Sequence, residues 1–434
     1  MLIVLCLLST CFIQLSIGAP SRREDGSGIK LNEGEVLYEG DIILTKEQAA
    51  ALKESSRTKR QVVIKGQGKK WPNDTVNYFY DANMGNDNDD RIKYMEAAFE
   101  YVRSRTCIKL IRNGQATKRL RVLGEGGCSS FIGFVNYDEQ NLRFSRGCII
   151  IGTGVHELMH ALGVDHEHSR YDRDQYLNID VSNVWDGYLN NLDKLTTSNS
   201  YNPTPFDYGS TMLYPYDGMG EGSIRPKDME YRRTMGSRKV SFYDMAIVND
   251  YYKCEKSCNT KLKCENGGYT NPANCKVCNC PNGFEGALCD QLPALRLTHT
   301  ATSSWSSYWA MYGDSSGEWL INEYNAYIVI TAPARKTIEI QITKLENFSC
   351  SGGCNTNGVE IKAHGDPRYI NPIFCCDNEL NRTRIYKSKR NPAIIALHSF
   401  RGTSKLTYQY RYIDEDFTLG KKTTNGYDSF EYYE

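Results

Sequence analysis

His156-Glu157-Leu158-Met159-His160-Ala161-Leu162-Gly163-Val164-Asp165-His166 concentrates the chemistry of this chain. Four of its seven histidines lie between His156 and His168. His156 and His160 stand four residues apart, so on a helix they share one face and their imidazoles reach one ion. Leu158, Met159, Ala161 and Leu162 are good helix formers, and Thr153 offers an N-cap. Gly163 can take the left-handed conformation that ends a helix and turns the chain back. That turn would deliver His166 as a third ligand. Three protein nitrogens leave one zinc position for water, the pattern of a catalytic site. Zinc lowers the pKa of such a water to about 7. Glu157, next to a ligand, is placed to accept the proton. A bare H-E-x-x-H arises by accident; its extension to a third His after Gly-x-x makes accident improbable.

Outward from this stretch the chain divides. Residues 2–17 form an uncharged apolar run, followed by Gly18, Ala19 and Pro20. This predicts a secretory signal over 1–19, hence a secreted, extracellular protein, and no later stretch is apolar enough to serve as a transmembrane segment. Residues 20–60 lack Cys, are rich in charge and end in Arg57-Thr58-Lys59-Arg60, which fits cleavage by an activating protease after Arg60. Residues 61–254 read as one globular unit. Asp89-Asp90 cap a helix whose apolar face is Ile92, Met95, Phe99 and Val102. Short β-like runs are Cys107–Ile111, Leu120–Leu123 and Cys148–Ile151. The overall class is α+β, followed by smaller modules.

Cysteine usage agrees with an oxidising compartment. Cys6 and Cys11 lie in the signal, and fourteen of the sixteen remain. Cys107, Cys128, Cys148 and Cys254 alone would allow three pairings. Residues 255–290 hold six cysteines, too dense a unit to fold on a core alone. Residues 292–413 alternate apolar and polar positions, as in Ala326–Thr331, Ile338–Ile342 and Leu406–Tyr412, which predicts an all-β sandwich. Adjacent Cys375 and Cys376 can each join one of Cys350 and Cys354. Residues 414–434 are a polar, Tyr-rich tail. Sequons at Asn73, Asn347 and Asn381 are candidate glycosylation sites. Lys and Arg number 52, as do Asp and Glu, and no basic block points to nucleic acid.

The extended motif resembles the metzincin metalloproteases. His166-Glu167-His168-Ser169-Arg170-Tyr171-Asp172-Arg173-Asp174 is similar to the signature of the astacin family, and Ser210-Thr211-Met212-Leu213-Tyr214 to its Met-turn. The resemblance implies a two-lobed catalytic domain with one catalytic Zn²⁺ on His156, His160 and His166. It implies Glu157 as acid/base and Met212 as apolar support beneath the metal. Tyr214 would be either an extra ligand or a hydrogen-bond donor to the tetrahedral intermediate. Leu213 departs from the family, which commonly has His there. The pairs Cys107–Cys254 and Cys128–Cys148 are implied as well. Tyr38-Glu39-Gly40-Asp41-Ile42 resembles the family's pro-segment motif, in which the Asp binds zinc and holds the enzyme latent. The family also pairs a buried new N-terminus with the Glu after the third His, here Glu167; cyclisation of Gln61 would leave Glu167 without that cation. The cysteine spacing over 258–289 resembles an EGF-like module, implying pairs 258–275, 264–278 and 280–289 without calcium. Residues 292–413 stand where many such proteins carry a CUB domain. The implied function is a secreted endopeptidase acting on extracellular matrix, cuticle or host tissue proteins. The alternative is a catalytically silent adhesion protein on the same scaffold.

Overall fold

The computed structural model describes residues 36–46, 48, 69–197 and 200–414. The expected signal, the cleavage site at Arg60 and the new terminus Gln61 lie outside these residues, as does the tail beyond Asp414. Among the described residues no helix is long and apolar enough to cross a membrane.

The expected helix forms as α1, Asp90–Arg103, with Asp89 accepting a hydrogen bond from the Arg91 N–H as its N-cap. Ile92, Met95, Phe99 and Val102 are all buried, so the predicted face is the packed face. It lies against a mixed sheet of seven strands: β1 (Val36–Tyr38), β2 (Ile42–Leu44), β3 (Thr75–Tyr80), β4 (Lys109–Arg112), β5 (Arg119–Leu123), β6 (Cys128–Phe131) and β7 (Glu139–Phe144). Their spatial order is β1-β2-β6-β7-β5-β3-β4. The sheet core of Tyr78, Leu120, Val122, Leu142 and Phe144 meets Met95 and Phe99 of α1 and Leu158 and Met159 of a second helix.

That second helix, α2, spans Ile151–Ala161. Here two expectations fail. Cys148–Ile151 is not a strand: Arg146–Cys148 forms a 3-10 turn and the helix starts at once. The β-branched run finds no neighbouring strand, because the Cys128–Cys148 bridge ties its start to the first residue of β6. Nor is Thr153 the N-cap. The helix begins two residues before it, at Ile151, and its N-cap is Ile150, which supplies no side-chain acceptor. A third helix, α3 (Phe242–Tyr252), starts with a capping box between Ser241 and Asp244.

Below α2 a second, smaller core gathers Leu177, Phe206, Leu213, Met219, Ile224 and Met235. The catalytic domain thus has two separate cores, and the apolar side chains of α2 pack in the larger. The β1–β2 hairpin belongs to the segment expected to be removed. It nevertheless extends the large sheet, because β2 pairs in parallel with β6 through Ile42↔Ser130 and Ile43↔Phe131.

Bridges Cys258–Cys275, Cys264–Cys278 and Cys280–Cys289 stabilise the small module. The C-terminal unit is a sandwich of a five-stranded and a four-stranded sheet, with Cys350–Cys376 and Cys354–Cys375 stapling one loop. Its core includes Ile328, Ile340, Val359, Ile395, Leu406 and Tyr408. Asn73, Asn347 and Asn381 are exposed.

Candidate active site

His156, Glu157 and His160 project from α2 and are buried, each at most 2% exposed. The helix ends where expected. Gly163 has φ +99°, its N–H donates to the His160 carbonyl at 2.8 Å, and the Val164 N–H donates to the Met159 carbonyl at 2.9 Å. These two bonds form a Schellman turn. The turn has a second effect: the Val164 carbonyl accepts a hydrogen bond from His160 Nδ1 at 2.8 Å. One turn therefore orients His160 and returns the chain to His166. Gly163→Ala should lower stability by about 1–2 kcal/mol, the cost of a side chain in a left-handed position. It should also shorten the half-time of zinc loss to a chelator, and a combined melting and zinc-release measurement checks both.

The three imidazoles are arranged alike. His156 Nδ1 faces the Thr211 carbonyl at 2.7 Å, and His166 Nδ1 faces Glu39 Oε2 at 2.7 Å. Each Nδ1 thus meets an acceptor, which assigns the proton to Nδ1 and leaves Nε2 as a lone pair. The Nε2 atoms converge: His160 lies 3.1 Å from His156 and 3.2 Å from His166. Three lone pairs facing one another need a cation between them. A tetrahedral zinc ion about 2.0–2.1 Å from each nitrogen would set its ligands about 3.3 Å apart. The donor set therefore fits zinc in chemistry and in spacing.

Asp41 lies over the same point. Its Oδ2 is 3.2 Å from His156 Nε2, and its Oδ1 is 3.1 Å from His166 Nε2 and 3.6 Å from His160 Nε2. Asp41 Oδ1 and Glu157 Oε2 are buried without hydrogen-bond partners. Burial and then the Asp41 charge push the Glu157 carboxyl well above its usual range.

The segment after the second core's Phe206 completes the floor. Met212 is buried in the large core. Asp244, at the head of α3, accepts from Ser210 Oγ at 2.6 Å and from the Thr211 N–H at 3.0 Å, and so fixes the turn whose carbonyl holds His156. The Tyr214 ring stands 4.6 Å from that of His166, and its hydroxyl donates to the Glu39 carbonyl. Leu213 is packed in the smaller core.

Two participants escaped the sequence. Glu39 is 1% exposed; its carboxylate accepts from His166 Nδ1 and, at 2.8 Å, from Ser169 Oγ. Asp244 is the other, and its only trace in the sequence was the spacing Ser241-x-x-Asp244. Arg170 Nη1 lies 3.2 Å from Glu167 Oε1, so Glu167 has a cationic partner irrespective of Gln61.

Two histidines on a helix, a third returned to them by the turn that ends it, and a buried carboxyl beside them make the centre of a zinc metallopeptidase. Residues 63–253 match the astacin family of peptidases. Zinc metalloproteinase nas-17 of Caenorhabditis elegans is 44% identical over 429 residues, covering 98% of this chain and 98% of its own length. Zinc metalloproteinase nas-16 of the same organism is 42% identical over 392 residues, covering 88% and 86%. The chain belongs to the astacin family and is a zinc metallopeptidase.

Proposed function

We propose that this chain is a secreted endopeptidase made as a latent zymogen, with Glu157 as general base and with EGF-like and CUB-like modules behind the catalytic domain. The observation that carries the latent state is the Asp41 carboxylate lying across the Nε2 atoms of His156, His160 and His166. A fourth donor at that point occupies the position that hydrolysis needs for water.

His156, His160 and His166 would hold the zinc, which would supply Lewis acidity toward a water and the scissile carbonyl. Glu157 takes the proton from the attacking water and passes it to the leaving amine. Tyr214, once Glu39 has withdrawn, turns its hydroxyl to the oxyanion of the tetrahedral intermediate. Met212 supports the histidines from below, and Asp244 keeps the Thr211 carbonyl aimed at His156.

Removal of the pro-segment after Arg60 has a prepared destination for the new terminus. A cavity of about 160 Å³ is lined by Glu167, Asp207 and Asp244. Asp207 Oδ2 is buried there without a partner. Burial, joined by the charges of Asp244 and Glu167, pushes Asp207 up to about 8. Such a pocket suits a cationic amine. The substrates are extracellular proteins, with matrix, cuticle or host tissue proteins as the class.

The test is casein hydrolysis by the chain before and after cleavage at Arg60. The processed, zinc-loaded chain should hydrolyse casein, lose that activity to o-phenanthroline and regain it with added Zn²⁺. The unprocessed chain should be silent. A processed chain with its full zinc complement that leaves casein intact would instead favour the adhesion-scaffold alternative. Against that alternative stands the intact set of three histidines and one Glu.

A further inference from the structure

Residues 234–238 are pressed between three parts of the molecule. On one side lies α2: a Cβ built at Gly152 would stand 1.7 Å from the Arg238 carbonyl oxygen, so this backbone touches the helix that carries His156 and Glu157. On a second side lies the turn through Tyr214. Gly236, at φ +76°, is so close to Pro215 that a Cβ there would stand 2.5 Å from the proline Cβ. Arg238 Nη1 reaches the Thr211 carbonyl at 3.5 Å, the same oxygen that receives His156 Nδ1. On the third side lies the C-terminal sandwich. A Cβ at Gly353 would meet the Gly236 carbonyl oxygen at 2.3 Å.

One side chain of the sandwich grips this segment from both ends. Asn355 Oδ1 accepts from the Arg238 N–H at 2.7 Å, and its Nδ2 donates to the Gly236 carbonyl at 3.3 Å. The same Nδ2 donates to the Gly352 carbonyl at 3.2 Å, so the grip is continuous with its own loop. That loop is held by Cys350–Cys376 and Cys354–Cys375. Beside it, Thr234 Oγ1 accepts from the Ile373 N–H at 2.8 Å. The sandwich therefore reaches the catalytic centre through a single layer of backbone.

We propose that Asn355 is a positioning residue for peptide hydrolysis: it clamps Gly236–Arg238 against α2 and against Pro215, making the C-terminal sandwich the rear wall of the active site. The role rests on the endopeptidase reading above. Asn355 touches neither substrate nor metal ligand. It acts through Arg238, which packs on the helix of Glu157, and through Gly236, which packs on the residue after Tyr214. Displacing a catalytic group by about 1 Å can cost about 100-fold in rate, so a small release of this segment should be read mainly in kcat.

The test uses the full processed chain and compares Asn355→Ala with Glu379→Ala. Glu379 pairs with Arg233 in the same interface, but away from Arg238. Asn355→Ala should lower kcat about 10–100-fold with KM nearly unchanged, the pattern of a lost transition-state arrangement. Zinc content should stay full, and hydrogen exchange at the Arg238 amide should accelerate. Glu379→Ala should leave kcat and that amide unchanged. Asn355→Asp keeps the acceptor for the Arg238 N–H and should recover part of kcat; it also reports if the alanine variant does not fold. Equal losses in both alanine variants, tracking the melting temperature, would reduce Asn355 to interface glue. An unchanged kcat in Asn355→Ala with faster Arg238 exchange would overturn the role while leaving the endopeptidase reading intact. An inactive wild-type chain would overturn both.

Discussion

Glu157→Gln is expected to lower casein hydrolysis by the processed chain about 10²–10⁴-fold, the contribution of a positioned general base. Zinc content should not change, because Glu157 makes no bond to His156, His160 or His166 and its neighbours on α2 are untouched. The structure gives a reason to expect function without a structural loss. Glu157 is 1% exposed and its Oε2 has no hydrogen-bond partner. A buried, unsatisfied polar group costs about 1–3 kcal/mol. Burial pushes the carboxyl well above its usual range, a sign that the folded chain pays to keep an ionisable group there. Glutamine has the same shape and no charge to bury, so the variant should melt at the wild-type temperature or higher. Lost rate with retained zinc and undiminished stability separates a chemical role from a packing role. A zinc-loaded Glu157→Gln chain hydrolysing casein at the wild-type rate would remove Glu157 from the proton path.

The site was legible in the sequence where its geometry is local. His156 and His160 share a helix face by periodicity alone, and Gly163 marks the turn because few other residues accept its φ of +99°. The face of α1 could be read for the same reason. Legibility fails where a role depends on contacts distant in the chain. Glu39 meets His166 across 127 residues, and only the docked hairpin, with Glu39 at φ +47°, turns its carboxylate toward that ring. Asp244 meets Thr211 across 33 residues, and Asn355 meets Arg238 across 117. No periodicity encodes such meetings. The misread stretch Cys148–Ile151 failed differently. Three consecutive isoleucines favour a strand, but a strand needs a neighbour, and after the Cys128–Cys148 bridge that run leads straight into α2 instead.

Asp41→Ala should make the unprocessed chain hydrolyse casein, and Glu39→Ala should do so to a smaller extent. The hairpin of Tyr38–Ile42 engages the site through three groups at once. The Asp41 carboxylate covers the Nε2 atoms, the Glu39 carbonyl holds the Tyr214 hydroxyl, and the Glu39 carboxylate holds His166 Nδ1 and Ser169 Oγ. A hydrogen bond to a charged group contributes about 1.5–3 kcal/mol. Losing one such bond raises the undocked population about 10–100-fold, which sets the scale expected for Glu39→Ala. Asp41→Ala should exceed it, because a carboxylate facing the metal position is removed together with its contacts. The Asn191 side chain, which accepts from the Glu39 N–H at 3.1 Å, and the β2–β6 pairing should keep the hairpin attached in both variants, so activation will be partial. Processing supplies the internal control. Once cleavage at Arg60 has removed the segment, both variants should match the wild-type kcat, whereas damage to the catalytic domain would persist. If the unprocessed Asp41→Ala chain stays as silent as the wild type, latency comes from the hairpin covering the cleft and not from a carboxylate at the zinc position. Glu39→Ala would then be the more active of the two, because it alone frees both His166 and Ser169.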